Sequence, residues 1–226
     1  MKNQIILFSA IVLLTSCAPT KFFQLCTTTS ENGVIEKEQI AFEDVNCKLL
    51  YNFWADGGGM EAFVLNKGED DLVIDLSQSF LVINNLSRTY FPDLVYLNNE
   101  SNCCLGKSEM RIPSKCMVLL PEFKLRTFRF ILCDISDHPK QKNGQILKFE
   151  KTTSPFTFNH IVTYSTGKEA TRMENKFYVS EIVNMPYSSS YKTVYTDQCG
   201  RTLGDRATRK VYNFYGPDKF FFEYTY

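Results

Sequence analysis

The sequence predicts a mainly β protein: an antiparallel β-sandwich, immunoglobulin-like or related, with at most one short helix. Three observations predict it. Apolar and polar residues alternate with period 2, the strand signature, in run after run beyond residue 38. Glycine-rich and acidic turn signals separate those runs. A plausible helix occurs only once, near the C-terminus. Many short strands joined by turns must stack as layers, because each sheet has an apolar face to bury.

The elements follow in order. YNFWADGGGMEAFVLN, Tyr51 to Asn66, reads as a strand, a glycine turn and a second strand. NKGEDD supplies the next turn, with Glu69, Asp70 and Asp71 as the polar tip of a hairpin in a meander reaching Asn85. In DLVIDLSQS, Leu72, Ile74 and Leu76 share one face, and Asp75 and Ser77 the other. From Phe123 to Cys133 the apolar positions change phase, from Phe123 and Leu125 to Phe128, Phe130 and Leu132, which predicts a strand with a bulge or bend. The lysine-rich region from Lys140 to Lys151 reads as a solvated loop, with a strand from Ile146 to Phe149. Further strands are predicted at Phe156 to Tyr164, Phe177 to Asn184 and Tyr191 to Tyr195. The helix is predicted from Asp205, as N-cap, to Phe214. In the final KFFFEYTY, Phe220, Phe222, Tyr224 and Tyr226 share one face.

The N-terminus carries an address. Lys2 precedes a segment from Ile5 to Leu14 that is apolar apart from Ser9. A spanning helix needs about 20 apolar residues, so this segment suits the core of a secretory signal peptide. An ordinary cut after Ala18 would leave Pro19 at +1, where its fixed φ and missing N–H suit a protease-bound strand poorly. Leu14-Thr15-Ser16-Cys17 instead resembles a bacterial lipobox. There a cysteine is needed because its thiolate is the strong nucleophile that takes the diacylglycerol. Several acyl chains then anchor stably where one would be marginal. The predicted organisation is a leader over 1–16, a lipidated N-terminus and tether over 17–38, and a single β-sandwich domain over 39–226.

Composition excludes some functions. Lysine and arginine total 25, as do aspartate and glutamate, and they are mixed along the chain. The basic excess or clustered basic face of a nucleic-acid binder is missing, so no nucleic-acid partner is expected. Besides Cys17 there are Cys26, Cys47, Cys103, Cys104, Cys116, Cys133 and Cys199, an odd number. Beyond the inner membrane disulfides form readily. Cys26–Cys47 and Cys116–Cys133 are the first pairings to test, against the alternative of buried free thiols acting as small hydrophobes. No C-x-x-C occurs, so neither a thioredoxin-like redox site nor a zinc knuckle is supported, and no metal or other cofactor is expected.

Most catalytic motifs fail on inspection. Gly57 to Gly59 precedes a strand rather than a helix, so it reads as a turn with Asp56 and not as a phosphate loop. Gly106-Lys107-Ser108 mimics the end of a Walker motif, but Ser101 stands where the first glycine belongs. Glu69 to Asp71 are consecutive, unlike the alternate acids of a calcium loop. His138 sits in a turn-like loop beside Asp134 and Asp137, and His160 within or at the start of a strand. Either would need a nucleophile in reach to act as a hydrolase base. Trp54, the sole tryptophan, lies beside a turn. Core packing is its first expectation and an exposed sugar platform its second.

YNFWADGGGMEAFVLNKGEDDLVIDLSQSFLVINN, SPFTFNHIVTY, ENKFYVSEIVN and GPDKFFFEYTY resemble a family of uncharacterised lipoproteins from Bacteroides-like bacteria. The likeness runs through most of the mature chain and is thinnest between Tyr90 and Arg111. It implies a Gram-negative envelope lipoprotein and brings no catalytic residues with it. Surface-exposed lipoproteins of such bacteria often carry acids soon after the cysteine. Here none occurs before Glu31, which favours the periplasmic side of the outer membrane over the cell surface. The expectation is therefore a membrane-anchored, non-enzymatic module that binds or scaffolds an envelope protein or glycan. The alternatives are an envelope hydrolase using His160 or His138, and a glycan-binding lipoprotein using Trp54.

Overall fold

Two antiparallel sheets face each other across a layer of aromatic rings. The computed structural model describes residues 19–90, 108–167, 169–195 and 208–225. The larger sheet runs in the order β16 (Lys219–Thr225), β1 (Lys21–Ser30), β13 (Ala170–Pro186), β12 (Thr157–Ser165), β6 (Leu72–Ile83) and β7 (Leu86–Thr89). β11 (Gln145–Lys148) also pairs with β13, and β8 (Glu109–Ile112) with β6. The smaller sheet runs β10 (Phe123–Lys124), β5 (Gly59–Asn66), β4 (Cys47–Asn52), β3 (Gln39–Glu43) and β2 (Val34–Glu36), with β9 (Met117–Leu119) also on β5. β14 (Tyr191–Tyr195) and β15 (Thr208–Tyr212) pair with each other as a separate two-stranded ribbon. The expected class, mainly β with one short helix, is what is found; the helix is α1 (Tyr187–Ser190).

Alternation fixes which face is buried. Cys47, Leu49 and Tyr51 of β4 point inward, as do Met60, Ala62 and Val64 of β5 and Leu72, Ile74 and Leu76 of β6. Phe53 meets Phe177 edge-on at 5.0 Å, and Phe158 stacks on Phe177 at 4.8 Å, so side chains from both sheets interlock. A second cluster lies outside the larger sheet: Phe23, Leu25, Val183, Met185 and Phe221, covered by Trp54, Tyr187, Tyr212 and Phe214. The three-phenylalanine run of β16 follows from this. Phe220 and Phe222 fill the inter-sheet core, and Phe221 fills the outer one.

Several expectations are corrected. The tether over 17–38 does not persist to residue 38. Lys21–Ser30 is a strand deep in the sheet, with Phe22 through Cys26 buried, and Val34–Glu36 is an edge strand. The polar run of Thr27 to Ser30 masked the apolar residues before it. The NKGEDD turn is not a hairpin tip, because β5 and β6 belong to different sheets and the turn carries the chain between them. The true hairpin follows at Asn84-Asn85, both at positive φ (45° and 69°), with Ile83 paired to Leu86. Between Phe123 and Cys133 only Phe123–Lys124 is strand. Of the helix expected from Asp205 to Phe214, Asp205 lies outside the described residues and Thr208–Tyr212 is β15, whose backbone pairs with β14. Cys17 and the whole leader also lie outside the described residues.

Candidate functional site

His160 sits mid-strand in β12 on the inward face, and its side chain is fully buried. Tyr51 reaches it from the opposite sheet, its hydroxyl 2.7 Å from Nδ1. The hydroxyl of Tyr90, just after β7, lies 2.8 Å from Nε2. Asn175 donates to the Tyr51 oxygen from β13 at 2.6 Å. One proton arrangement satisfies this chain: Asn175 donates to Tyr51, Tyr51 to Nδ1, and Nε2–H to Tyr90. Burial drives the imidazole pKa down to about 3, so it is neutral at pH 7. Burial also raises both phenols well above their ordinary value. The result is a polar brace between sheets, with His160 and Tyr51 fully buried and Tyr90 half-buried.

His138 lies elsewhere. It is half-buried, its ring tilted against Phe22 at 5.6 Å, and its backbone N–H donates to Ser136 Oγ at 3.0 Å. The neighbouring Asp137 is held by both terminal nitrogens of Arg129, at 2.5 and 3.0 Å, and the guanidinium covers Tyr224 at 4.3 Å. This loop is fastened to β1 by Gln24. Its amide nitrogen donates to Phe130 O at 2.9 Å, and its oxygen accepts from Phe130 N at 2.7 Å. A side-chain amide thus replaces a strand where the predicted strand is missing.

Trp54 joins the outer cluster. Its half-buried ring meets Tyr212 and Tyr215 edge-on at 5.5 and 5.4 Å and lies 5.0 Å from Phe221. The packing role expected first for it is the one its contacts describe. Cys26, Cys47, Cys116 and Cys133 are all free thiols, so the two pairings are corrected. Cys26 is buried on β1, whereas Cys47 lies on β4 of the other sheet, with Sγ 3.2 Å from Met173 Sδ. Burial, and then the Asp44 carboxylate, push the Cys47 thiol up to about 12. Cys116 and Cys133 are exposed in separate loops. Cys103, Cys104 and Cys199 lie outside the described residues. Among the described residues no cluster of His, Cys, Asp or Glu could hold a metal ion.

A cavity of about 270 Å³ opens on the outer face of the larger sheet. Asn84 and Asn85 form one wall, the Glu31–Lys151 ion pair another, and Asn159 and Tyr178 the floor. The Lys151 ammonium holds the Glu31 carboxyl below its ordinary value. Asn159 Oδ1 is buried there without a hydrogen-bond partner. Such an orphan acceptor is uncommon and calls for a donor from solvent or ligand. Sequence reasoning missed this site. The Asn84-Asn85 dipeptide is the one signal that could have marked its wall, as a hairpin turn.

No protein-family model matches the chain, no curated protein matches it, and no solved structure matches its fold.

Proposed function

We propose that the chain is a lipid-anchored protein of the bacterial envelope, held in the outer membrane by acylated Cys17 and facing the periplasm. Its β-sandwich works as a non-enzymatic module that binds or scaffolds another envelope component. The lipobox at Leu14 to Cys17 carries this reading. The position of β1 supports it. Only Ala18, Pro19 and Thr20 separate Cys17 from β1, so an acylated chain would set the domain directly on the bilayer. Among the described residues no helix is long and apolar enough to cross a membrane. The hydrolase alternative loses its main support with His160, whose two nitrogens are enclosed by tyrosine hydroxyls. Mass spectrometry of the mature N-terminal peptide tests the anchor. A diacylglyceryl thioether on Cys17 is expected, together with accumulation of unprocessed precursor in Cys17→Ser. An unmodified residue 17 overturns it.

A second reading has its own observation. The unpartnered Asn159 oxygen, at a cavity also lined by Asn84 and Asn85, favours capture of a small neutral hydroxyl-bearing ligand such as a sugar. Screening a monosaccharide panel by thermal shift, against wild type and Asn159→Leu, tests it. A shift common to both proteins would place the binding elsewhere.

A further inference from the structure

The end of the molecule at which β1 begins carries a pair of cations on one aromatic ring. Lys21 Nζ lies 5.7 Å from the Tyr187 ring centroid. Lys210 Nζ lies 5.4 Å from the same ring and 4.3 Å from that of Tyr191. Both lysines are exposed and both tyrosines half-buried. They are brought together because β1 starts beside the end of β13, Phe22 pairing with Pro186, where the chain turns through α1 into the ribbon of β14 and β15. Lys192 and Arg209 are exposed on the same ribbon.

Several cations elsewhere are matched with acids. Lys48, Lys67, Lys115, Arg129 and Lys151 each meet a carboxylate. Among the described residues Lys21, Lys192, Arg209 and Lys210 form no ion pair. Glu223 of neighbouring β16 accepts the Tyr212 hydroxyl instead. Two ammonium groups held over one ring repel each other and gain from an external anion.

The tether decides which anion. Four peptide steps from Cys17 to Lys21 span at most about 14 Å. That is within two Debye lengths of the surface at physiological salt, each about 8 Å. Tyrosine is a residue of membrane–water interfaces, and lysines beside an anionic leaflet are drawn to it. We propose that this end of the domain, Lys21 and Lys210 with Tyr187 and Tyr191, docks onto anionic phospholipid headgroups of the membrane that holds Cys17. The inference rests on the lipid-anchor reading and adds a second, protein-borne contact that fixes the domain's orientation.

The test uses the full acylated chain, reconstituted in vesicles of phosphatidylethanolamine with about one third phosphatidylglycerol, or of phosphatidylcholine alone. Lysines are acetylated briefly and read by mass spectrometry, with detergent micelles as the reference. Lys21 and Lys210 should label at least threefold more slowly on the anionic vesicles, and recover in 0.5 M salt or on phosphatidylcholine. Lys115, near the opposite end of the strands, should label alike in all. Lys210→Glu should restore Lys21 labelling on anionic vesicles to the phosphatidylcholine rate, while its circular dichroism reports an intact fold. With Cys17 shown acylated, equal labelling in micelles and anionic vesicles overturns the docking and leaves the anchor standing. Equal protection on both vesicle types also overturns it, since the headgroup charge would then be irrelevant. An unacylated Cys17 overturns both.

Discussion

Tyr51 of the smaller sheet and His160 of the larger one share a hydrogen bond of 2.7 Å at the centre of the sandwich. Hydrophobic packing alone would let the two sheets slide by small amounts. A buried, directional contact whose loss strands two hydroxyls penalises such slippage.

Burial of that imidazole makes stability depend on pH. The His160 pKa is about 3 in the folded chain and about 6.5 when unfolded, so below the upper value the unfolded chain binds a proton that the folded one does not. The contribution is fully present above about pH 6.5 and is lost as pH falls toward 3. Between pH 7 and pH 5 the loss is about 2 kcal/mol from this group. Urea unfolding at the two pH values measures it. His160→Gln should be less stable at pH 7 and nearly free of that slope; an unchanged slope would assign it to carboxylates.

Gln24 should be more important than its single side chain indicates. Gln24→Ala leaves the buried Phe130 N–H and C=O unpaired, together with the Asn184 amide oxygen that Gln24 also meets at 2.7 Å. A loss of about 2–4 kcal/mol is expected. Faster hydrogen exchange at Phe130 should locate it in the loop that Gln24 clasps. Global loss without that local change would mean the loop is held by other means.

Gly57 cannot carry a side chain. Its φ is +75°, and a Cβ there would stand 2.2 Å from the Arg126 carbonyl oxygen. The two residues need this closeness because Arg126 N–H donates to Gly57 O at 2.9 Å. Gly57→Ala should cost about 2 kcal/mol or more in thermal or urea unfolding. Gly167, also at positive φ but in open space, should tolerate alanine better.

The thiols should divide into two classes. Site-resolved alkylation of the native protein should modify Cys116 and Cys133 readily, and Cys26 and Cys47 only after unfolding, because the thiolate is the reactive form and burial suppresses it. A Cys26–Cys47 crosslink in the non-reduced digest would contradict the packing of both.

Strand periodicity exposed much of this architecture before any coordinates. The inward face of β6 was legible because Leu72, Ile74 and Leu76 alternate with less buried residues. β1 was not, because it is buried on both faces and so shows a block, FFQLC, rather than an alternation. The turn between β5 and β6 looks like a hairpin in sequence, since nothing local tells whether the next strand joins the same sheet. The site residues were harder still. Tyr51, Tyr90, His160 and Asn175 are far apart in the chain and each is ordinary in its own segment; only the stacking of two sheets makes them a unit. The same holds for Lys21 and Lys210, which meet through a ribbon that sequence reading began as a strand at Tyr191 and ended as a helix.

The first described strand and the last are neighbours: Lys21 pairs with Thr225, and the register continues to Thr27 and Lys219. Assembly therefore has to wait for the tail. A nascent polypeptide would hold Phe23 and Leu25 uncovered until its closing residues arrive, since Phe221 and the ribbon are what cover them. Such non-local closure makes for slow folding and leaves a bare sheet edge in the interim. Products that stop short of residue 219 should thus become clients of chaperones and proteases, giving the cell a built-in check that synthesis was finished.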